Sequence, residues 1–482
     1  MSSLYQKPFK SIDQQVELLR SRGLQFSDPE RLAHILQAVG YYRLSGYWHD
    51  FREPAPEGGK RPSTFVAGTS LSEVMEIYEF DEDLRSLLVK GLSRIEVSLR
   101  FKIGHLLGRR NQFAHNDLSF LSSEWGENKK TLSVPPETGA VTLREYNDHN
   151  DWVKKQIQGE RVSNEAFVAH IYDSYGQPLP VWTATEVMTF GHLNKLFYGM
   201  KQQDRQEVAV GFDVFGEDGT GDARSFSSWL ERLRQTRNYC SHYSRLWNKN
   251  NTAPIAVPYS CEELQHITAS SGSDSEGAPV SRANSRIYAT VALLTYLLAR
   301  IDYTNDIRDE IIGRILNFAQ GRTDRLQAMG FPPDWDKNSI WSTGYSRNSE
   351  RSDRGRLLRS VHLMYKLDAS KQITFKSSAK EQKSYINYMR KNGALLSVPG
   401  SNSHRFPSFQ FDSSTGNVSK TVAIANRRLL NGAEGAEEDR WNALEWWVSD
   451  SGHVPGKSPK DLLESGKLDD VLDSMLEPLN DE

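Results

Sequence analysis

The chain has 482 residues, enough for two or three domains that each bury a hydrophobic core. Its 59 Lys and Arg nearly balance 62 Asp and Glu, so the net charge of -3 confines any nucleic-acid surface to a local patch. Two cysteines, Cys240 and Cys261, are too few for a disulfide scaffold or a zinc site. The sequence shows no signal peptide and no apolar run long enough to cross a membrane, so we expect a cytoplasmic protein without membrane contact. We also expect no metal and no cofactor.

The chain begins with a predicted helical region. One helix is expected from residue 12 to Gly23, which suits a left-handed cap, and a second begins after Asp28-Pro29. Residues 39–48 are rich in aromatic side chains and contain one cation, Arg43. A packed turn between helices is the favoured interpretation, and a base-stacking platform is the alternative.

Residues 71–107 carry the clearest helical pattern of the chain. Leucines and isoleucines recur at steps of four and three, which predicts a central core helix. Glu96 borders this stripe four residues before Arg100, as in an ordinary ion pair along one helix. Arg94 and Arg100 are also candidates for lining a phosphate path.

The following region mixes irregular and helical segments. Residues 111–151 are polar and rich in turn residues, which indicates a long excursion beside the helices. Further helices are predicted from residue 163 to 175, from 182 to 200 and from 204 to 212. Together with helices at 286–300, 305–318 and 322–329, they make the first domain, residues 1–341, an all-α bundle with insertions.

Residues 224–247 are predicted to form one helix whose buried face ends in polar groups. Phe226, Leu230 and Leu233 recur at helical spacing, and Arg237, Asn238 and His242 follow them. Asn238 and His242 are four residues apart and so share a helix side. An Arg with a His five positions later is a weak signal, because Arg100 with His105 and Arg110 with His115 have the same spacing.

The chemistry of these side chains indicates RNA cleavage without a metal. A guanidinium grips phosphate, and an imidazole moves protons near neutral pH. The 2′-hydroxyl of RNA would attack the neighbouring phosphorus while His242 acts as general acid or base and Arg237 stabilises the developing charge. Asn238 would orient either residue. A hydrogen-bond network at a helix end is the alternative without function.

The last part of the chain differs in charge. Between residues 345 and 391, twelve Lys or Arg stand against four Asp or Glu, an excess suited to a phosphate backbone or to a solvated linker. We predict a basic linker over residues 342–377. A small mixed α/β or mostly helical domain follows over residues 378–482, with a helix from Ser378 to Asn392-Gly393 and short strands near 394–398 and 405–412.

These motifs resemble known families. The segment from Arg237 to His242 resembles the Arg-x4-6-His signature of HEPN ribonucleases, and the domain around it resembles the abortive-infection (Abi) proteins of bacteria. The supporting segments are residues 7–9, 39–48, 78–81, 94–100, 179–182 and 329–335. The resemblance implies a HEPN-like helical bundle and a homodimer whose paired signature helices form one RNA-cutting cleft. It also implies that Glu96 orients Arg237 or His242.

The C-terminal domain resembles Xre/ParS-type antitoxins, through residues 406–412, 416–418, 441–447 and 456–466. That resemblance implies a toxin–antitoxin relationship, with a regulatory protein or DNA contacting this domain. Four arginines are predicted to bind nucleic acid: Arg43, Arg94, Arg234 and Arg245.

Two functions follow from these patterns. The first is a metal-independent endoribonuclease of antiviral defence, with Arg237, Asn238 and His242 as catalytic residues and with Glu96 and Arg100 in support. The second is a non-catalytic regulator that uses the same helical scaffold to bind RNA or DNA.

Overall fold

The computed structural model describes residues 8–57, 59–133, 142–216, 218–258, 261–268, 283–301, 306–342, 357, 360–399 and 404–476. It is 61% helical, so the expectation of a mainly helical protein is confirmed. Among the described helices, none combines the length and the apolar character that crossing a membrane requires.

Helices build most of the first 341 residues. In chain order they are α1 (Ile12–Ser21), α2 (Pro29–Val39), α3 (Tyr41–Ser45), α4 (Leu71–Arg110), α5 (Asp148–Arg161), α6 (Ala166–Tyr175), α7 (Val181–Ala184), α8 (Phe190–Gly199), α9 (Gln202–Val210), α10 (Ala223–Ser241), α11 (Gln265–Thr268), α12 (Ile287–Ile301), α13 (Asp306–Ala319) and α14 (Thr323–Ala328).

Helix α4 lies at the centre of this region. A capping box of Ser70 and Glu73 closes its N-terminus and satisfies backbone N–H groups that lack a helical partner. The apolar stripe expected between residues 71 and 107 is buried, and α7, α10, α12 and α13 pack around it. Gly91 permits close approach of α12, because a Cβ atom there would lie 2.6 Å from Leu294.

The polar excursion after α4 contains a hairpin that the sequence did not predict. Strands β1 (Asn128–Ser133) and β2 (Thr142–Asn147) pair in antiparallel register, with Asn128 opposite Asn147. The chain between them, residues 134–141, lies outside the described residues. Asn147 then caps α5 by accepting a hydrogen bond from the backbone N–H of Asn150.

Two predicted helices are shorter than expected. The helix predicted over residues 182–200 divides into α7 and α8, because the Met188 carbonyl accepts a hydrogen bond from Arg100 of α4 and Thr189 caps a new helix at α8. The helix predicted over residues 224–247 ends at Ser241, since Tyr243 adopts a left-handed backbone conformation with φ of 53°.

The C-terminal region is a small mixed α/β unit. Its elements are β3 (Leu363–Tyr365), α15 (Lys366–Lys371), α16 (Ala379–Lys391), β4 (Val398–Pro399), β5 (His404–Pro407), β6 (Phe411–Asp412), β7 (Asn417–Val418), α17 (Lys420–Leu429), α18 (Glu437–Val448), α19 (Pro459–Glu464) and α20 (Leu472–Leu476). Strand β5 pairs with β3 on one side and with β4 on the other, both antiparallel.

The buried side-chain amides of Gln410 and Asn426 form hydrogen bonds in the core of this unit. The Gln410 side chain bonds to both the N–H and the carbonyl of Leu396. It also accepts a hydrogen bond from Asn426, whose own oxygen accepts one from the Trp447 indole. Trp441 is buried beside them. Trp447 thus lies in the core of this unit, and its neighbour Trp446 is half-buried.

The predicted linker, residues 342–377, is folded in its second half. Strand β3 and helix α15 belong to the C-terminal sheet and core, and the N–H of Leu363 also donates to the carbonyl of Asp218 in the first region, at 3.1 Å. The reason is tertiary: Leu363 and Ile373 are buried against partners more than thirty residues later in the chain. Residues 343–356, which hold several of the basic side chains, lie outside the described residues.

Candidate active site

The candidate site lies at the C-terminal end of α10. Asp222 caps the other end of this helix by accepting a hydrogen bond from the N–H of Ser225, at 2.8 Å. Phe226, Trp229 and Leu233 are fully buried and fix the helix in the core. Below them the helical face becomes polar, and this part of the helix carries the residues predicted to act on RNA.

Arg237, Asn238 and His242 lie within the last turn and a half of α10 and its C-terminal cap. The backbone N–H of His242 still donates to the carbonyl of Asn238, at 2.9 Å, so His242 occupies the cap position of α10. We call these three side chains the Arg237–His242 site. His242 is exposed, whereas Arg237 and Asn238 are half-buried. None of the described residues forms a hydrogen bond or an ion pair with these side chains, so they are available to a ligand.

A buried carboxylate holds the chain that leaves this site. The backbone N–H groups of Leu246 and Trp247 donate to Asp81 of α4, at 3.1 and 2.7 Å. Tyr47 donates its hydroxyl to the same carboxylate at 2.7 Å, and Arg85 donates to it at 2.5 Å. We call this arrangement the Asp81 hub. It joins α4, the segment after α3 and the segment after α10.

The Asp81 hub is a saturated polar cluster inside the core. Burial raises the pKa of the Asp81 carboxyl, and the hydrogen bonds and the Arg85 charge oppose that rise. Burial also raises the pKa of the neighbouring Cys240 thiol, to about 12. Cys240 therefore stays protonated at neutral pH and is unsuited to act as a nucleophile.

Two of the predicted RNA-binding arginines lie beside the site. Arg43 of α3 donates a hydrogen bond to the carbonyl of Tyr243, the residue after His242. Arg245 donates one to the carbonyl of Gly46. Each guanidinium thus links the aromatic segment 39–48 to the chain after α10. Arg43 is exposed and Arg245 is half-buried, so positive charge borders His242.

A third cation at this end was not predicted from the sequence. The Lys249 ammonium lies over the ring of Tyr239, 3.7 Å from its centre. Burial, together with the charge of Arg245, lowers the pKa of Lys249. The sequence signal was weak, because a single Lys in an Asn-rich loop is typical of a solvated surface.

The predicted supporting residues lie elsewhere. Glu96 accepts a hydrogen bond from Arg100 at 2.7 Å, and Arg100 also binds the Met188 carbonyl. The simple ion pair considered in the sequence is therefore what the structure shows. Among the described residues, Glu96 has no hydrogen bond to Arg237 or His242.

The reason is the antiparallel packing of α4 and α10. Asp81 touches the chain just after α10, whereas Lys102 lies over Phe212, whose ring stacks on Phe226 at the start of α10. Glu96 lies fifteen residues beyond Asp81 along α4, a rise of about 22 Å. Glu96, together with Arg94 and Arg100 on the same stretch, is thus placed away from His242.

Arg234 is also engaged by a neighbour. Its guanidinium makes two hydrogen bonds to Glu231, at 2.8 and 2.6 Å. The hydrogen bond from Arg234 lowers the pKa of Glu231, so the pair is ionised at neutral pH. Arg234 must break this pair before it can bind phosphate, whereas Arg237, one turn later, has no acidic partner among the described residues.

The chemistry available at the Arg237–His242 site is that of a proton carrier beside a phosphate-binding cation. An exposed imidazole can give or accept a proton, and a guanidinium with no acidic partner can grip a phosphate group. Among the described residues, no three His, Cys, Asp or Glu side chains are grouped as metal ligands.

Comparison with known proteins matches part of the chain to one family. Residues 34–248 match the family model of Abi-like proteins. The match covers less than half of the 482 residues, but it runs from α2 to the chain after α10 and includes both the Asp81 hub and the Arg237–His242 site. It supports the expected relationship to Abi proteins. No match was found among curated proteins or among solved structures.

Proposed function

We propose that this chain is a metal-independent endoribonuclease of bacterial abortive-infection defence, with a HEPN-like catalytic site at the end of α10. The observation that carries the proposal is the exposed His242 beside Arg237 and Asn238, none of them bound to another described side chain. The family match over this segment agrees with a defence role.

The proposed reaction uses the substrate's own nucleophile. The 2′-oxygen of RNA loses its proton and bonds to the adjacent phosphorus, and the bond from phosphorus to the 5′-oxygen breaks as that oxygen takes up a proton. The products are a 2′,3′-cyclic phosphate and a 5′-hydroxyl. His242 performs one of the two proton transfers, and Arg237 stabilises the charge on the phosphoryl oxygens. Asn238 orients the imidazole or the phosphate.

A second copy of the chain would complete the site. One imidazole carries out one proton transfer, so two copies with their α10 ends facing each other supply both. Arg43, Arg245 and Lys249 lie at the same end of α10 as His242 and would hold the flanking phosphates of a single strand. We place the reaction in the cytoplasm, where the two cysteines stay reduced.

We assign the C-terminal unit a regulatory role. Its antitoxin-like segments would contact a regulatory protein or DNA, and its basic helix α16 would dock RNA. These contacts would control the nuclease without supplying catalytic groups.

The test uses purified protein and a labelled single-stranded RNA in the presence of a chelator. We expect cleavage products with 2′,3′-cyclic phosphate and 5′-hydroxyl ends, identified by mass spectrometry. An RNA with 2′-deoxyribose throughout should stay intact, because it lacks the nucleophile. Cleavage of that control, or products with a 5′-phosphate, would contradict the mechanism. Tight RNA binding without any cleavage would favour the non-catalytic regulator.

A further inference from the structure

The N-terminal region contains an open cavity between α1, α2 and α3. Its volume is about 1080 Å³, at the upper end of the range typical of ligand pockets. We call it the N-terminal cavity. Its lining residues include Phe9, Lys10, Arg22, Tyr42, Arg43 and Arg52.

The charged side chains described around this cavity are all cationic. Lys10, Arg22, Arg43 and Arg52 line it, and no Asp or Glu is among the described residues that line it. Among the described residues, none of the four forms an ion pair with a carboxylate. Among the described residues, the Arg22 guanidinium donates to the hydroxyl of Tyr41 and to no carboxylate, and the buried Nε atom of Arg52 has no hydrogen-bond partner. Such cations are complementary to a phosphate group.

The rest of the lining is apolar and aromatic. Ile12, Leu18 and Leu36 contribute aliphatic surface. At the rim, the Tyr42 side chain is 75% exposed and Phe9 is 92% exposed. A base can stack on such a ring whatever its sequence. The aromatic segment 39–48 is thus divided: Trp48 belongs to the core, as the packed-turn interpretation requires, and Tyr42 faces the cavity.

The cavity adjoins the candidate active site through Arg43. This residue lines the cavity, and its guanidinium donates to the carbonyl of Tyr243, next to His242. The Arg43 side chain therefore lies between the N-terminal cavity and the segment that follows His242. A single strand of RNA with its scissile phosphate at Arg237 would reach the cavity with a neighbouring nucleotide.

We propose that the N-terminal cavity binds one nucleotide of the RNA strand, with its phosphate on Arg22 and Arg52 and its base against Tyr42. This inference rests on the proposed function, since it assigns the cavity to the strand that is cut. A free mononucleotide has the same chemistry and is the other source of such a ligand.

The test measures binding of a fluorescent RNA that carries 2′-O-methyl groups and so cannot be cleaved. Fluorescence anisotropy is recorded for wild type, Arg52→Met, Tyr42→Ala and Arg20→Met. Arg20 is the matched control, because it lies on α1 two residues before Arg22 but pairs with Glu17 outside the cavity. We expect Tyr42→Ala to weaken binding by about 5-fold to 100-fold. Arg52→Met should weaken binding and reduce the slope of log K against log salt concentration by about one, as expected for the loss of one phosphate contact. Arg20→Met should bind RNA as wild type does.

The outcomes separate this inference from the nuclease proposal. If wild type cleaves RNA but Arg52→Met and Tyr42→Ala both bind the uncleavable strand as wild type does, the cavity assignment is overturned and the nuclease stands. Weaker binding by both variants in a protein that never cleaves would support the cavity and reject the nuclease. Circular dichroism of each variant verifies folding.

A calorimetric titration distinguishes the strand from a free nucleotide. AMP, GMP, CMP and UMP are each titrated into wild type and Arg52→Met. We expect no saturable binding in the micromolar range, because a mononucleotide lacks the contacts at the active site. Tight binding of one mononucleotide that Arg52→Met abolishes, with RNA binding unchanged, would assign the cavity to a free ligand and overturn the proposal.

Discussion

The Asp81 hub and the Arg237–His242 site are both polar, and only three residues separate His242 from Leu246. In the hub the Tyr47 hydroxyl, the Arg85 guanidinium and two backbone N–H groups donate hydrogen bonds to the carboxylate, and the cluster is buried. At the site the side chains have no partner among the described residues, and His242 is exposed. The two regions therefore use polar side chains differently. In the hub, hydrogen-bonded side chains hold segments of the chain together, and at the Arg237–His242 site the side chains are left for a ligand.

The same contrast appears within α10. Arg234 donates two hydrogen bonds to Glu231, whereas Arg237 has no acidic partner among the described residues. Both are arginines on one helix, three residues apart. Their charge and helix position are alike, so the contrast between them isolates the effect of the local partner.

Removing the charge of the hub should have the largest effect. Asp81→Asn leaves Arg85 buried without its counter-ion, which we expect to cost about 3–5 kcal/mol of unfolding free energy. Urea unfolding followed by circular dichroism measures the loss. Asp83→Asn is the control on the same helix, since Asp83 is largely exposed and pairs with Arg314 at the surface; it should cost less than about 1 kcal/mol. Equal losses in both variants would contradict the role of the hub.

Replacing the unpaired arginine should affect catalysis instead. Arg237→Ala is expected to slow single-turnover RNA cleavage by about 10²–10³-fold, because a donor to the charged transition state is lost. Arg234→Ala serves as the matched control and should change the rate by less than about tenfold. If Arg234→Ala is as harmful as Arg237→Ala, the distinction between paired and unpaired arginines fails.

A buried histidine extends the comparison to pH. His115 is fully buried, and burial, together with the charge of His149, lowers its pKa to about 4. The unfolded chain binds a proton at His115 near pH 6.5, whereas the folded chain binds it only near pH 4. The contribution of neutral His115 to the free energy of unfolding is therefore complete above pH 6.5 and is lost as the pH falls toward 4. We expect His115 to contribute a loss of about 3 kcal/mol over this window. Urea unfolding of wild type and His115→Gln between pH 4 and 7 measures it, and parallel curves would reject it.

The smallest effect concerns Glu96. Because Glu96 binds Arg100 and lies away from His242, Glu96→Gln should reduce stability by about 1–3 kcal/mol and change the cleavage rate by less than about tenfold. Thermal unfolding and initial cleavage rates are compared with wild type. A hundredfold slower reaction with unchanged stability would restore Glu96 as a supporting catalytic residue.

The helices that the sequence predicted well are those whose bounds depend on residues close to them in the chain. Periodic apolar residues located α1 and α4 within a few residues, and the glycine stop at Asn392-Gly393 located the end of α16. The division between α7 and α8 was missed, because the Met188 carbonyl is bound by a residue 88 positions earlier in the chain. The end of α10 was missed because Tyr243 adopts a positive φ that its type rarely shows.

The candidate site was predictable only in part. Arg237, Asn238 and His242 were found because they follow an apolar stripe on one helix. The Asp81 hub was not, since its partners are 34 and 165 residues away from Asp81 in the chain. Its one local signal was the pair of Asp81 and Arg85 at a spacing of four between buried positions of α4.

The most direct test of the account is the cleavage rate of purified His242→Ala beside that of His34→Ala, both with a labelled single-stranded RNA. His34 is an exposed histidine on α2 and serves as the matched control. We predict a loss of about 10²–10⁴-fold for His242→Ala, with native folding, and a wild-type rate for His34→Ala. Undiminished cleavage by folded His242→Ala would contradict it.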